Sequence, residues 1–117
     1  MDRTIASWSI EFLMSKAAEV LSKQSYNIKC FEIGEKAFAF VSYMIEWLLY
    51  DNKLISTTVS FTNKCGSVYV DAATREDDKS VIIGIGRVFA KQGHEYLYYL
   101  CIAETSEKGG SDDQAQG

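Results

Sequence analysis

The sequence predicts an α+β domain with an N-terminal amphipathic helix, an antiparallel sheet of three to four strands, or five, and a C-terminal helix packed on the sheet. Three observations favour this fold class: a helical apolar period in residues 9–24, strict alternation in residues 55–62, and a continuous apolar run near the end of the chain. Runs of strands flanked by helices indicate an α+β layer rather than a parallel βαβ fold.

The first predicted element is a helix over residues 9–24. Its apolar side chains recur at intervals of three and four, whereas charged and hydroxyl residues fall between them. Ser7 or Ser9 is the expected N-cap. The apolar positions are Ile10, Leu13, Met14, Ala17, Ala18 and Leu21.

Residues 26–33 mix aromatic, β-branched and polar types before Gly34, which is typical of a short strand. The next segment, 37–50, fits two templates. Its Phe, Tyr, Val and Ile content favours a strand over residues 36–43, followed by an irregular or helical stretch. Positions 37, 40, 41, 44, 45, 48 and 49 also form a continuous apolar helix face, so the helical alternative stays open.

The central hairpin is the most clearly predicted pairing. Ile55, Thr57, Val59 and Phe61 alternate with hydroxyl residues, and the turn 63–66 leads into a second alternating run, 68–72. A charged connection, a short strand within 80–86 and a closing helix over about 88–104 complete a single domain, residues 1–104. Residues 105–117 contain no large apolar side chain and are expected to form a disordered tail.

This order of elements resembles a group of small bacterial α+β domain proteins of unknown function. The likeness covers roughly the first hundred residues and rests on an N-terminal helix, a strand-rich centre and a glycine-containing loop before the closing segment GIGRVFAKQGHEYLYYL. Such a resemblance implies a fold and carries no activity.

Composition excludes several functional classes. The formal net charge is −4, and the cations are scattered, so the sequence has no basic stripe for nucleic acid. It also has no apolar run of membrane-spanning length and no apparent export signal. Three widely spaced cysteines, Cys30, Cys65 and Cys101, are expected to be reduced thiols. We therefore expect a cytoplasmic protein without a membrane or nucleic-acid partner.

The stretch GIGRVFAKQGHE, residues 84–95, superficially resembles a phosphate-binding loop. Phe89 replaces the third glycine of a dinucleotide fingerprint, and no βαβ unit surrounds the motif, so that interpretation fails. If a helix begins after Gly86, backbone amides and nearby cations would still offer an anion site, and the alternative is a plain strand-to-helix turn. The candidate ligand residues are Gly84, Gly86, Arg87, Lys91 and His94.

Metal and cofactor sites are not predicted. His94 is the only histidine, and neither it nor the cysteines have the spacing of a four-ligand zinc site. No combination of acid, base and nucleophile stands out either, so an enzyme is the least favoured function.

The closing segment predicts an interface. If residues 88–104 are helical with Leu97, Leu100 and Cys101 on the sheet, then Tyr98, Tyr99 and Ile102 form an exposed patch that suits a homodimer or a partner protein. We therefore expect a non-catalytic binding or self-associating module. The alternative is a small-ligand domain, with an aromatic-lined cavity between helices and sheet and Arg87 as the orienting charge.

Overall fold

The computed structural model describes residues 2–50 and 53–106. Its helices are α1 (Arg3–Leu21) and α2 (Glu35–Tyr50). Its strands are β1 (Tyr26–Ile33), β2 (Leu54–Asn63), β3 (Gly66–Arg75), β4 (Asp78–Ala90) and β5 (Glu95–Thr105). The strands form one antiparallel sheet in the order β1-β5-β4-β3-β2, which confirms the α+β class.

The chain connects the two edges of the sheet through α2. Strands β2 to β5 follow one another as an up-and-down meander, and β1 pairs with β5 at the far edge. Because β1 and β2 are the two edge strands, α2 must carry the chain from one edge to the other. It does so across one face of the sheet, with contacts to β5, β4 and β2.

Helix α1 covers the opposite face and forms the core with it. Asp2 caps the helix by accepting hydrogen bonds from the backbone N–H groups of Thr4 and Ile5, so the expected caps at Ser7 and Ser9 are wrong. The apolar stripe of α1 is buried as predicted, and Ile10 and Met14 are fully enclosed. On the sheet, this face presents alternate residues such as Val70, Ile82 and Cys101.

The predicted hairpin of residues 55–62 and 68–72 is confirmed, because β2 and β3 pair in that register, with Val59 opposite Val70. The predicted strand over residues 36–43 is wrong, since α2 occupies this segment. The helical alternative for this segment is therefore the correct one, although its residue types favour a strand.

The predicted C-terminal helix over residues 88–104 is also wrong, because β4 extends to Ala90 and β5 occupies Glu95–Thr105. Residues 96–103 are all apolar or aromatic, which fits an inner strand with a helix on each face. The predicted tail begins too early, since Thr105 pairs with Tyr26 and is buried. The rest of that prediction, residues 107–117, lies outside the described residues.

A disulfide joins Cys30 of β1 to Cys101 of β5, which are direct partners in the register. The expectation of three reduced thiols is therefore wrong. It failed because two cysteines separated by 71 residues in sequence meet only when β1 pairs with β5. Cys65 is exposed and does not join a disulfide. Disulfides persist mainly in oxidising compartments, so the cytoplasmic expectation loses the support it drew from reduced thiols.

Candidate functional site

Helix α2 is the most exposed apolar element among the described residues. None of its residues is buried, although residues 37–50 contain a single charge, Glu46. Its apolar side chains divide into two rows. The inner row faces the sheet and consists of Val41, Met44, Ile45 and Leu48. The outer stripe points away from the sheet and consists of Phe40, Tyr43, Trp47 and Tyr50.

The outer stripe is exposed along its whole length. The exposed fraction is 64% for Phe40 and Trp47, 61% for Tyr43 and 90% for Tyr50. These positions are three or four residues apart, so the rings lie along one side of the helix. Tyr43, Trp47 and Tyr50 also line a shallow hollow with Glu46. Large exposed apolar patches are typical of interaction sites.

A cleft separates the inner row of α2 from the sheet. Its volume is about 570 Å³, within the range of about 300–1,000 Å³ that small-molecule sites occupy. The apolar residues that line the sheet side of the cleft are Leu54, Ala73, Val81, Ile83 and Leu100, and the polar lining residues are Thr74, Arg75, Asp78 and Ser80. The walls are therefore mainly aliphatic, and the polar lining residues come from the end of β3 and the start of β4.

Beyond α2, the same face of the sheet carries a cluster of aromatic rings beside Arg87. The Arg87 guanidinium lies 5.2 Å from the centre of the Tyr69 ring, a cation–π distance. Tyr96 stacks on Tyr98 at 5.9 Å, and Phe89 lies 4.8 Å from Tyr96. Arg87 does not line the cleft under α2, so the predicted combination of an aromatic-lined cavity with this orienting charge is not assembled there.

Tyr98 links this cluster to the start of α2. Its ring lies 4.8 Å from the ring of Phe38. Burial raises the pKa of the Tyr98 hydroxyl above its ordinary value, and the nearby Glu35 carboxylate raises it further. Tyr98 is therefore a neutral hydroxyl in a partly apolar setting, which suits packing and hydrogen bonding rather than proton transfer at neutral pH.

Gly84 and Gly86 lie in the middle of β4 and face α1. A Cβ atom at Gly84 would lie 2.4 Å from Met14 Sδ, and one at Gly86 would lie 2.5 Å from Ile10 Cδ1. The helix start assumed for an anion site after Gly86 is therefore wrong. These glycines allow α1 to approach the sheet closely, and Arg87 points to the other face.

Lys91 and His94 belong to the turn between β4 and β5 rather than to a helix. Gly93 and His94 both have positive φ, 87° and 50° respectively, which shapes this tight connection. The His94 ring lies 6.2 Å from that of Phe89, at the border of the aromatic cluster. Ligand binding by the five candidate residues stays a prediction, but they are divided between the two sheet faces and the turn.

The predicted patch of Tyr98, Tyr99 and Ile102 is divided in the same way. Tyr99 is 2% exposed and faces α1, whereas Tyr98 and Ile102 lie on the α2 side of β5. The prediction of a common exposed surface for these residues is therefore wrong, because strand alternation replaces the helical geometry from which that surface was derived. The outer stripe of α2 was missed, although its spacing of three and four was visible in the helical alternative.

Within residues 2–50 and 53–106, no three His, Cys, Asp or Glu side chains are grouped closely enough to hold a metal ion. Across the same residues, neither helix has the length and apolar character needed to cross a membrane. Comparison of the chain with protein-family models, curated proteins and solved structures finds no match. The fold and these surfaces are therefore the basis for a functional proposal.

Proposed function

We propose that this protein is a non-catalytic, self-associating module that forms a homodimer through the outer stripe of α2. The observation that supports the proposal is the row of four exposed aromatic side chains on a helix with no buried residue. A helix lying on one side of a sheet ordinarily exposes its polar side. This helix exposes aromatic rings there, which implies that a second apolar surface covers them.

A second copy of the chain fits that surface. A twofold antiparallel pairing of α2 helices centred near Ile45 sets Phe40 opposite Tyr50 and Tyr43 opposite Trp47. Every aromatic side chain of the stripe thus meets another one, and Glu46 lies opposite Met44 rather than opposite its own copy. Symmetric dimers use one self-complementary patch in this manner, and aromatic pairs stabilise such contacts.

Light scattering over a concentration series tests the dimer. We expect the unmodified chain to shift from monomer to dimer mass between about 1 and about 500 µM, and Trp47→Glu to stay monomeric while keeping its circular dichroism spectrum. Trp8→Glu on α1 is the matched control, since Trp8 and Trp47 are both 64% exposed. A monomer at every concentration, or dissociation caused by Trp8→Glu alone, contradicts the proposal.

A second candidate function is the binding of a small ligand. The cleft beneath α2 favours it, because its size and aliphatic walls are those of an apolar binding site. Arg87 lies outside this cleft, so an orienting charge there is not part of the candidate function.

A further inference from the structure

We propose that the cleft between α2 and the sheet binds a single unbranched alkyl chain with an uncharged polar head. This inference names the ligand class for the second candidate function. It does not depend on self-association through the outer stripe, because the inner row and the outer stripe lie on different sides of α2.

The walls of the cleft determine the body of the ligand. They are formed mainly by aliphatic and Met side chains, and no aromatic residue is among those that line them. From Val41 to Leu48 the inner row covers about two helical turns, or roughly 10 Å, which accommodates an alkyl chain of about eight to ten carbons. The thioether of Met44 adapts to the shape of such a chain more readily than branched side chains do.

The exposure of the inner row of α2 indicates that the cleft is a binding site rather than a packing defect. The inner row lies over apolar sheet residues such as Ala73 and Leu100, yet none of its side chains is buried. An apolar space of about 570 Å³ leaves these walls without contacts on one side. A ligand that fills it would bury both walls at once.

The polar lining residues at the β3–β4 connection determine the head group. The Arg75 guanidinium is already paired with Asp77, with Nη2 lying 2.8 Å from Oδ2. The connection 75–79 contains three carboxylates and two cations, so its sum of charges is −1. A carboxylate or phosphate head would meet this negative excess. A hydroxyl head avoids the repulsion and can exchange a hydrogen bond with Ser80, which also lines the cleft.

Calorimetric titration with 1-octanol, 1-nonanol and 1-decanol tests the inference. We expect one site per chain, a negative heat-capacity change, and a dissociation constant that falls about fourfold with each added methylene. Decanoate, which has the same chain length as 1-decanol and a negative head, is expected to bind at least about tenfold more weakly. Equal binding of decanol and decanoate would overturn the assignment of the head group.

Two variants locate the site. Ala73→Phe fills the cleft from the sheet and is expected to weaken decanol binding at least about tenfold. If this variant does not fold, Leu48→Phe fills the cleft from α2, where Leu48 is 46% exposed. Trp8→Ala, far from the cleft on α1, is expected to bind decanol unchanged. If a folded Ala73→Phe or Leu48→Phe variant binds decanol with unchanged affinity, the assignment of the binding site to the cleft is overturned.

The monomeric variant separates this inference from the proposed dimer. Trp47→Glu is expected to bind decanol with the affinity of the unmodified chain, because Trp47 does not line the cleft. Loss of binding in a folded Trp47→Glu would show that a second copy forms the site, which contradicts the inference. Binding by an unmodified chain that is always monomeric would refute the dimer and leave the inference standing.

Discussion

Met14 occupies the space that a side chain at Gly84 would need. The distance from a Cβ atom at Gly84 to Met14 Sδ would be 2.4 Å, and Met14 is fully buried. Real carbon and sulfur atoms do not approach so closely, so the glycine sets the distance between α1 and the sheet. The same relationship recurs two residues later between Gly86 and Ile10.

Gly84→Ser is expected to lower the free energy of unfolding by at least about 2 kcal/mol, because it forces Met14 to move and buries a hydroxyl. Gly34→Ser is the matched control, since nothing lies within 4 Å of a Cβ atom at Gly34. Urea unfolding measures the free energy of unfolding of both variants. The effect of Gly84→Ser should shrink in a Met14→Ala background, and full additivity would show that the two residues are not coupled.

Reduction of the Cys30–Cys101 disulfide is expected to destabilise the protein by about 2–4 kcal/mol, because the bond closes a long loop in the unfolded chain. The comparison is urea unfolding with and without dithiothreitol. Cys65→Ser should leave the effect of the reductant intact, whereas Cys30→Ser with Cys101→Ser should abolish it. If dithiothreitol does not change the free energy of unfolding, the disulfide does not form in solution.

The sequence predicts the parts of this fold that depend on local period. The α1 stripe and the β2–β3 hairpin each show one clean period, and both elements are present. The α1 stripe is buried as expected, whereas the predicted inner face of β2 is only half-buried and its Phe61 is exposed. Segment 37–50 combines a helical apolar period with strand-favouring residue types, and the path between the edge strands accounts for the helix that forms.

The rest depends on contacts that are distant in sequence. Residues 96–103 look like a helix buried on two sides because an inner strand covered on both faces has the same continuous apolar pattern. The pairing of β1 with β5 brings Cys30 next to Cys101, and no local sequence pattern predicts this pairing. The predicted common patch is absent for this reason, since helical geometry grouped Tyr98 with the buried Tyr99.

Val59→Asp is expected to cost more than about 2 kcal/mol of stability, whereas Ser60→Asp should cost less than about 0.5 kcal/mol. Val59 packs against the α1 core, while its neighbour Ser60 is exposed on the other face of β2. Thermal unfolding of the two variants at neutral pH measures the difference. Similar losses from both substitutions would contradict the register of β2 on β3.

Tyr99 is expected to make stability fall at high pH. Burial raises the pKa of its hydroxyl above the ordinary value of 10.0, the Glu32 carboxylate raises it further, and Arg3 opposes the shift. A raised pKa in the folded state means that the unfolded chain loses this proton first. The contribution of the protonated Tyr99 hydroxyl to the free energy of unfolding is therefore complete below about pH 10, and it is lost as pH rises through the raised pKa.

Urea unfolding between about pH 8 and about pH 11 measures this loss, and Tyr99→Phe should flatten the decline because no proton is released at that position. The matched control is Tyr50→Phe, which removes a hydroxyl from a ring that is 90% exposed and should leave the slope unchanged. Equal slopes for the unmodified chain and Tyr99→Phe would show that the Tyr99 hydroxyl reaches solvent. Tyr99 would then not be enclosed between α1 and the sheet as its 2% exposure indicates.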